Sequence, residues 1–363
     1  MKQDNRNLWT VLVFCFAALT PLLANADVMT STAIAKDGQG PRNLIGRGWD
    51  TARVFFDADG DGRTDYFVAE QQYKDNQTAK TASNSDFKLY TGTGKGYTLN
   101  TKLLNGAGKG CIHPRKAVVN DFNRDGRMDV FVLCHGWDKP PFPGERNKLV
   151  LSQPGGTYEV KDAAKNVGFF HGGDSADFNG DGNPDIIVTN NFDQSPLHVW
   201  LGDGKGGFKA TTKTIPFSLK HRGGYFTATL PDIDGDGRFD LFVGGHEFDN
   251  APSEVYLNDA KSGFHAGKKI KIPAVKGRGV VLDAIATGPV GNRKIWILRT
   301  SGGDGTFYEG VCIQSYELAS GQSKLEHCDR TSKWFPWLIT WTSQGHTYVG
   351  SDSSKDAIRL RAD

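Results

Sequence analysis

The sequence is poor in methionine, in net charge and in long apolar segments. Only 3 of its 363 residues are Met, and 43 basic residues are almost balanced by 41 acidic ones. The formal charge of +2 excludes a simple polybasic or polyacidic protein. Gly is abundant, with 45 residues, and aromatic residues make up 11%. Because no long tract of Ala, Glu, Lys and Leu is present, this composition argues against a helical bundle or a coiled coil.

The catalytic motifs that short patterns can identify are missing as well. The sequence contains no HExxH pattern of zinc proteases and no GxSxG nucleophile elbow. No motif of a nucleic-acid-binding module occurs either. The function must therefore be inferred from other features.

Residues 1–26 have the organisation of a secretory signal peptide. Lys2 and Arg6 form a short basic start, and an apolar run ends in the small residues of Ala24-Asn25-Ala26. The run of about 15 residues is shorter than the ~20 that a spanning helix needs, although a membrane anchor is the alternative. We expect cleavage before Asp27, a periplasmic or secreted protein of residues 27–363, and no membrane span in the mature chain.

The mature chain has four cysteines, and an even number in an exported protein favours disulfides over free thiols. Cys312 and Cys328 lie eight residues on either side of Ser320, so that they would face each other across a hairpin. Cys111 and Cys134 bracket another hairpin less symmetrically. We predict both disulfides; free buried thiols are the alternative.

A nine-residue pattern occurs four times, at residues 57–65, 121–129, 177–185 and 232–240. It reads Asp, any residue, Asp or Asn, any residue, Asp, Gly, any two residues, Asp. Its side-chain oxygens belong to Asp57, Asp59, Asp61, Asp65, Asp121, Asn123, Asp125, Asp129, Asp177, Asn179, Asp181, Asp185, Asp232, Asp234, Asp236 and Asp240. Four copies at nearly regular intervals indicate a structural repeat rather than coincidence.

The spacing of these oxygens predicts calcium binding. Oxygens at positions 1, 3 and 5 of a tight loop converge on one point, and Gly at position 6 permits the turn. The carbonyl at position 7 and the Asp at position 9 would complete the oxygen cage, whereas His and Cys ligands of zinc or copper are missing from the pattern. An EF-hand needs Glu at position 12 and flanking helices, but position 12 is Val in every copy and the flanks are β-prone. We expect about four Ca²⁺ sites, each in a β-hairpin.

A second hairpin with a Gly-rich turn follows each loop and leads into an aromatic residue. Each unit thus has four strands, A to D, with the metal loop between A and B. Units of this kind, repeated every 55 to 64 residues, predict an all-β fold, a single β-propeller of four-stranded blades. Residues 278–363 supply two degenerate blades without metal loops, and Val28 to Ile34 can add the missing outer strand of the last one. We expect six blades, with seven as the alternative.

These repeats resemble the FG-GAP and VCBS repeats, the calcium-loop β-propellers of integrin α chains and of many exported bacterial proteins. The resemblance rests on the Asp-rich loops and on the Gly-rich turns that end in Phe or Tyr. It implies a β-propeller, bound calcium and an extracytoplasmic location. Because members of this family include adhesion, carbohydrate-binding and polysaccharide-degrading proteins, it leaves the function open.

The topology predicts two faces with different chemistry. The A–B and C–D turns leave each blade at one face, here called the calcium face, and the B–C and D–A loops leave it at the opposite face. Five of the nine histidines fall in or beside these latter loops. The candidate ligand-binding residues are His113, Arg115, His135, Trp137, His171, His221, Arg222 and His246. Such a group suits an oligosaccharide or an acidic ligand, but the residues could also serve only to tie loops together.

Calcium would change the charge of the surface. Fourteen of the 41 acidic residues lie in the four loops, and four Ca²⁺ ions would move the formal charge from +2 to about +10. We therefore expect a calcium-binding module for an extracellular or periplasmic partner, an acidic glycan or a protein. A polysaccharide lyase that uses His, Arg and Tyr for β-elimination is the enzymatic alternative, and a purely protein-binding adhesion module is a third.

Overall fold

The computed structural model describes most of the chain. The described residues are 26–30, 49–93, 96–191, 197–211, 224–247, 251–259, 264, 268–277, 279–290, 293–300, 310–330, 338–343, 346–351 and 356–360. The predicted signal peptide lies outside this set except for Ala26. No helix among the described residues has the length and apolar character needed to cross a membrane.

Strands form nearly all of the regular structure. The first twelve are β1 (Ala26–Thr30), β2 (Trp49–Phe56), β3 (Asp65–Gln71), β4 (Phe87–Gly92), β5 (Tyr97–Leu99), β6 (Leu104–Asn105), β7 (Pro114–Asn120), β8 (Asp129–Cys134), β9 (Lys148–Ser152), β10 (Tyr158–Asp162), β11 (Phe170–Ala176) and β12 (Asp185–Asn190). The others are β13 (Leu197–Gly202), β14 (Phe208–Thr211), β15 (Tyr225–Thr229), β16 (Leu241–Gly245), β17 (Glu254–Tyr256), β18 (Lys269–Lys271), β19 (Val281–Thr287), β20 (Lys294–Arg299), β21 (Val311–Glu317), β22 (Ser323–Asp329), β23 (Leu338–Ser343), β24 (His346–Ser351) and β25 (Asp356–Leu360).

Five sheets are each built from one continuous stretch of chain. They contain strands β2–β5, β6–β10, β11–β14, β15–β18 and β19–β22, and neighbouring strands pair in an antiparallel manner. The short β6 is an exception because it adds to the outside of β10 in parallel. A further sheet has the order β1-β25-β24-β23 and therefore joins the two ends of the chain.

The first strands of the sheets stand side by side around a central axis. β2 contacts β7, β7 contacts β11, and the series continues through β15 and β19 to β23, which also contacts β2. This arrangement is a single β-propeller, as the repeats predict. Six blades, or seven, are expected from the sequence, but only five blades are contiguous segments of the chain. The remaining sheet combines both chain ends, and the described residues form no seventh sheet.

The hydrophobic core lies between neighbouring sheets rather than inside one. One cluster packs side chains of β2–β5 against β6–β10, and corresponding clusters follow around the ring up to β23–β25. For example, Trp200 of β13 is fully buried and packs against Phe131 of β8, with ring centroids 5.8 Å apart. Because a middle strand is covered on both faces, β12 is buried at every position.

The C-terminal units fold as their patterns predict, although they lack metal loops. β19–β22 form a complete four-stranded sheet, and β23–β25 supply three strands of the next one. The outer strand of that sheet is β1, which pairs with β25 from Ala26 opposite Leu360 to Thr30 opposite Asp356. The strand supplied by the N-terminus is thus confirmed, two residues earlier than the predicted start at Val28.

Both predicted disulfides are present. Cys312 and Cys328 are directly opposite each other in β21 and β22, as their symmetry about Ser320 requires. Cys111, which precedes β7, is joined to Cys134 at the end of β8. Disulfides are typical of proteins in an oxidising compartment.

Removing the Cys312–Cys328 disulfide should destabilise the fold. The double substitution Cys312→Ala with Cys328→Ala releases a loop with a sequence separation of 16 residues, so the free energy of unfolding should fall by about 2–4 kcal/mol. Urea denaturation of the purified mature protein measures the change. A thiol titration of denatured, non-reduced wild type is the control, and free thiols in that sample would contradict the pairing.

Candidate calcium loops and histidine cluster

The four Asp-rich loops share one backbone conformation. In the first loop both carboxylate oxygens of Asp57 accept backbone hydrogen bonds, from Gly60 N at 2.8 Å and from Gly62 N at 2.9 Å. The other loops repeat the bond from position 6, with distances of 2.8 to 3.3 Å. Gly62 has a φ of 81°, and its counterparts also lie in the left-handed region. Position 6 is therefore Gly because other residues enter this region only at a cost.

The Asp at position 9 anchors each loop to the second hairpin of its blade. Asp185 is fully buried, and its Oδ1 accepts a hydrogen bond of 3.0 Å from Gly202 N at the end of β13. The equivalent carboxylates, Asp65, Asp129 and Asp240, each accept one backbone N–H from loop position 2 and one from the third strand or just beyond it. The role of position 9 as a metal ligand stays a prediction, but its anchoring role is evident from these bonds.

The donor set of these loops fits a hard cation. Side-chain oxygens of Asp57, Asp59 and Asp61 converge to within 4.8 Å of one another, and those of Asp232, Asp234 and Asp240 do the same. Burial, together with the nearby carboxylates of Asp181 and Asp177, raises the pKa of Asp185 to about 7. A divalent cation would offset this electrostatic cost, and oxygen ligands alone favour calcium over zinc or copper.

The opposite ends of the same strands carry a group of side chains that we call the histidine cluster: His113, His135, Asp138, His171 and Arg115. β7 begins one residue after His113, and β8 ends one residue before His135. Both histidines are therefore separated from the 121–129 loop by the length of a strand. His171 is the second residue of β11, the first strand of the next blade.

These side chains are in mutual contact. His135 Nε2 lies 3.1 Å from His171 Nε2 and 4.0 Å from Asp138 Oδ1. The rings of His113 and His135 have centroids 5.0 Å apart. Arg115 completes the group with an ion pair to Asp138 Oδ2 at 3.3 Å. Side chains from two neighbouring blades thus lie together here, and their role in ligand binding stays a prediction.

Their burial differs from the expected exposed loop tips. His113, Arg115, His135, Trp137 and His171 are all nearly or fully buried. The reason is that Arg115 and His171 belong to the innermost strands rather than to loops, and that neighbouring loops cover the other residues. Substitution of these residues is therefore expected to lower the stability of the fold.

Burial also fixes the charge of the two central imidazoles. It lowers the pKa of His135 and of His171 well below the ordinary value, and the nearby Arg115 guanidinium lowers both further. Both rings are accordingly neutral at physiological pH. The Nδ1 atom of His171 lies 3.1 Å from the carbonyl oxygen of Phe169, which makes Nδ1 the protonated nitrogen of that ring.

Aromatic side chains extend the cluster on two sides. Tyr73 packs on Trp137 with centroids 4.8 Å apart, and its hydroxyl lies 3.4 Å from His113 Nδ1. On the other side Phe226 contacts both His171 and His246, at 4.6 and 4.9 Å between centroids. His246, which is half-buried, therefore joins through Phe226. His221 and Arg222 lie outside the described residues, so their placement stays a prediction.

A cavity of about 230 Å³ opens next to the cluster on the same face. It is lined by Phe142, Pro143, Gly144, Val167, Gly168, Phe169 and Asn190. Phe169 is the shared wall, because its ring also contacts His135 and His171. Val167 at the rim is 54% exposed.

Several residues of this region are not indicated by any pattern in the sequence. Asp138 follows the candidate Trp137 directly, but an acidic residue in a polar loop is not distinctive. Phe142 and Phe169 lie in separate loops, and no periodic pattern indicates that they share a cavity. A reading that counts aromatic residues near each candidate histidine could have identified Phe169, which is two residues before His171.

The propeller axis is crossed by a buried ion pair that has no sequence signature. Lys116 of β7 places Nζ 2.9 Å from Asp283 Oδ1 of β19, on the opposite side of the ring. Asp283 also accepts hydrogen bonds from Thr227 at 3.3 Å and from Thr340 Oγ1 at 2.6 Å. Burial opposes the charge of Lys116, but Asp283 and Asp174 outweigh it and raise the pKa of Lys116.

Comparison with known proteins agrees with the repeat. The model of the FG-GAP-like repeat matches residues 57–132 and 177–243, which include all four Asp-rich loops. No curated protein sequence matches the chain.

Three solved structures are similar to this chain at a low level. Trypanosoma rangeli sialidase is 9% identical with a TM-score of 0.45, over 87% of this chain and 55% of that chain. A GH43 β-1,3-galactosidase is 10% identical with a TM-score of 0.35, over 86% and 92%. A fructofuranosidase from Schwanniomyces occidentalis is 10% identical with a TM-score of 0.39, over 67% and 55%. This chain thus spans about half the length of the sialidase, and similarities at this level carry no functional conclusion. The repeat matches at residues 57–132 and 177–243, together with the propeller, support the FG-GAP repeat β-propeller family for this chain.

Proposed function

We propose that this protein is an exported calcium-binding β-propeller that binds an acidic ligand, a glycan or an acidic protein segment, on the face opposite its calcium loops. The observation that carries the proposal is the cavity beside the histidine cluster. A concave site with aromatic walls and a few convergent polar groups is the usual form of a small-ligand site. Its volume suits one small group, such as a single sugar residue of a longer chain.

Calcium has a structural role in this proposal. The four loops are the turns between the first two strands of four blades, so a bound ion would fix each hairpin. We further assign the sheet of β1 and β23–β25 as the sixth blade, because β23 contacts both β19 and β2 and thereby closes the ring. The N-terminal strand β1 would then fasten the last blade to the start of the mature chain.

The preference for an acidic ligand rests on charge. Four bound Ca²⁺ ions would offset eight of the fourteen negative charges in the loops, and the formal charge of the protein would then be about +10. Near the cavity Lys139 has a half-exposed side chain over the ring of Trp137, 5.5 Å from its centroid. The guanidinium of Arg115 forms an ion pair with Asp138.

A lyase is the second candidate function, and one observation favours it. Tyr73 is half-buried, and its hydroxyl lies 3.4 Å from the imidazole of His113. Such a pair could abstract a proton from a uronate and return one to the leaving group. Incubation with polygalacturonate or alginate distinguishes the two functions, because a lyase creates unsaturated ends with new ultraviolet absorbance, whereas a binding module leaves the polymer intact.

A pair of matched substitutions tests the location of the ligand site. Val167 lies at the rim of the cavity and is 54% exposed, and Val290 lies against the 232–240 loop on the calcium face and is 62% exposed. Val167→Glu should weaken binding to an acidic polysaccharide at least tenfold, because it places a carboxylate where the anion binds. Val290→Glu should change it less than twofold. Both variants should keep their stability to within about 0.5 kcal/mol, since both sites are exposed.

The measurement is a binding titration in saturating calcium, with the tightest binder from a panel of uronate and sulfated polysaccharides as the probe. A neutral glucan of similar length is the control ligand. Equal affinities for the acidic and the neutral polymer would contradict the ligand class. A loss of affinity confined to Val290→Glu would contradict the location of the site.

A further inference from the structure

We propose that the histidine cluster is a binding site for one divalent transition-metal ion, with His113, His135, His171 and Asp138 as its ligands. His113, His135 and Asp138 each offer a ligand atom, and these three atoms lie within 4.8 Å of one another. His171 Nε2 is 3.1 Å from His135 Nε2, and this contact is the reason to assign it as the fourth ligand. This site is separate from the calcium loops, since it lies at the other ends of the strands.

The distances are close to those of a tetrahedral site. Two ligand nitrogens that bind one zinc ion at about 2.0–2.1 Å lie ~3.3 Å apart. The 3.1 Å between the nitrogens of His135 and His171 agrees with this value. His135 Nε2 and Asp138 Oδ1 are 4.0 Å apart, and the Asp138 side chain, which is 37% exposed, can close the remaining gap by a rotation.

Neighbouring groups orient three of the four proposed ligands, His171, His113 and Asp138. His171 directs Nδ1 to the carbonyl of Phe169, so its Nε2 carries the lone pair. His113 Nδ1 lies 3.4 Å from the hydroxyl of Tyr73, so that Nε2 would be its ligand atom. Arg115 holds Oδ2 of Asp138, and Oδ1 points towards His135. Outer partners of this kind are the normal surroundings of metal ligands.

The ligand types indicate the class of metal. Three imidazoles and one carboxylate suit zinc, copper or nickel and do not suit calcium, which prefers oxygen ligands. With Arg115 close by, a bound divalent ion would leave the site positively charged and ready to accept an anion. The inference stands on metal binding alone and does not require the proposed acidic ligand.

The test is a zinc titration of the mature protein, stripped of metal and then saturated with calcium so that the Asp-rich loops are filled. A chromophoric chelator reports the affinity, and cobalt in place of zinc gives a visible spectrum that reports nitrogen ligation. The variants are Asp138→Asn and His113→Gln, and the control is His346→Gln, which changes an exposed histidine at the start of β24. Asp138→Asn is the central variant because a partly exposed residue can change without unfolding the protein, which circular dichroism verifies.

Wild type and the control should bind one equivalent of zinc, and both cluster variants should bind it at least about tenfold more weakly. Zinc should also raise the melting temperature of wild type. The proposal is overturned by a wild type that binds no zinc in the presence of calcium, which would make the His135–His171 contact a simple hydrogen bond. Binding that survives either cluster substitution undiminished would overturn it as well.

Discussion

Removal of calcium from the mature protein should lower its melting temperature by about 10 °C or more. Each loop brings four acidic or amide side chains together, and in the first loop oxygens of Asp57, Asp59 and Asp61 lie within 4.8 Å of one another. An ion that binds only the folded state at a concentration of 100 times its Kd contributes about 2.7 kcal/mol per site. In a large domain each kcal/mol shifts the melting temperature by roughly 2–4 °C. Differential scanning calorimetry in calcium and in excess EDTA measures the change.

Two controls make this result specific. Re-addition of Ca²⁺ should restore the melting temperature, whereas Mg²⁺ should restore it only in part because Mg²⁺ keeps its water ligands and requires shorter distances. Asp181→Ala should lower the melting temperature in calcium but not in EDTA, where the loss of one carboxylate relieves repulsion with Asp177 and Asp185. An unchanged melting curve after confirmed metal removal would show that the loops need no ion.

Replacement of the buried lysine on the propeller axis should have the second large effect. Lys116→Met leaves the buried Asp283 and the half-buried Asp174 without their cation, and the free energy of unfolding should fall by about 3–5 kcal/mol. The cost is large because the Asp283 carboxylate is buried and its ion pair with Lys116 Nζ, at 2.9 Å, offsets its negative charge. Chemical denaturation at neutral pH measures this loss.

The matched control is Lys139→Met, which removes an ion pair to the fully exposed Asp75. This change should cost no more than about 1 kcal/mol, since exposed pairs are screened by solvent. The double variant Lys116→Met with Asp283→Asn should recover part of the stability, because it removes an uncompensated charge and keeps a hydrogen-bond acceptor for Thr340. Equal losses for Lys116→Met and Lys139→Met would contradict the role of the axial ion pair.

The parts of this structure that follow from the sequence are those set by local spacing. The positions of Asp57 to Asp65 determine a hairpin loop because each contact spans fewer than ten residues. Cys312 and Cys328 pair because they are symmetric about one turn. The closing strand β1 follows from counting strands, since β23–β25 lack a fourth.

The candidate site is less accessible to this reasoning because it depends on contacts between distant segments. Lys116 and Asp283 are 167 residues apart, and only the ring geometry brings them together. Three of the candidate histidines, His113, His135 and His171, lie together, but their burial depends on where strands begin. Arg115 and His171 lie one residue inside β7 and β11, and this small difference converts expected surface side chains into interior ones.

The most direct test of the two-faced arrangement is hydrogen exchange of the calcium-saturated protein with and without its acidic ligand. The proposed function predicts that the ligand slows amide exchange in residues 135–147 and 167–171, which form the cavity and cover the histidine cluster. Exchange in residues 57–65, 121–129, 177–185 and 232–240 should stay unchanged. Protection confined to those four loops would place the ligand on the calcium face and contradict the proposed site.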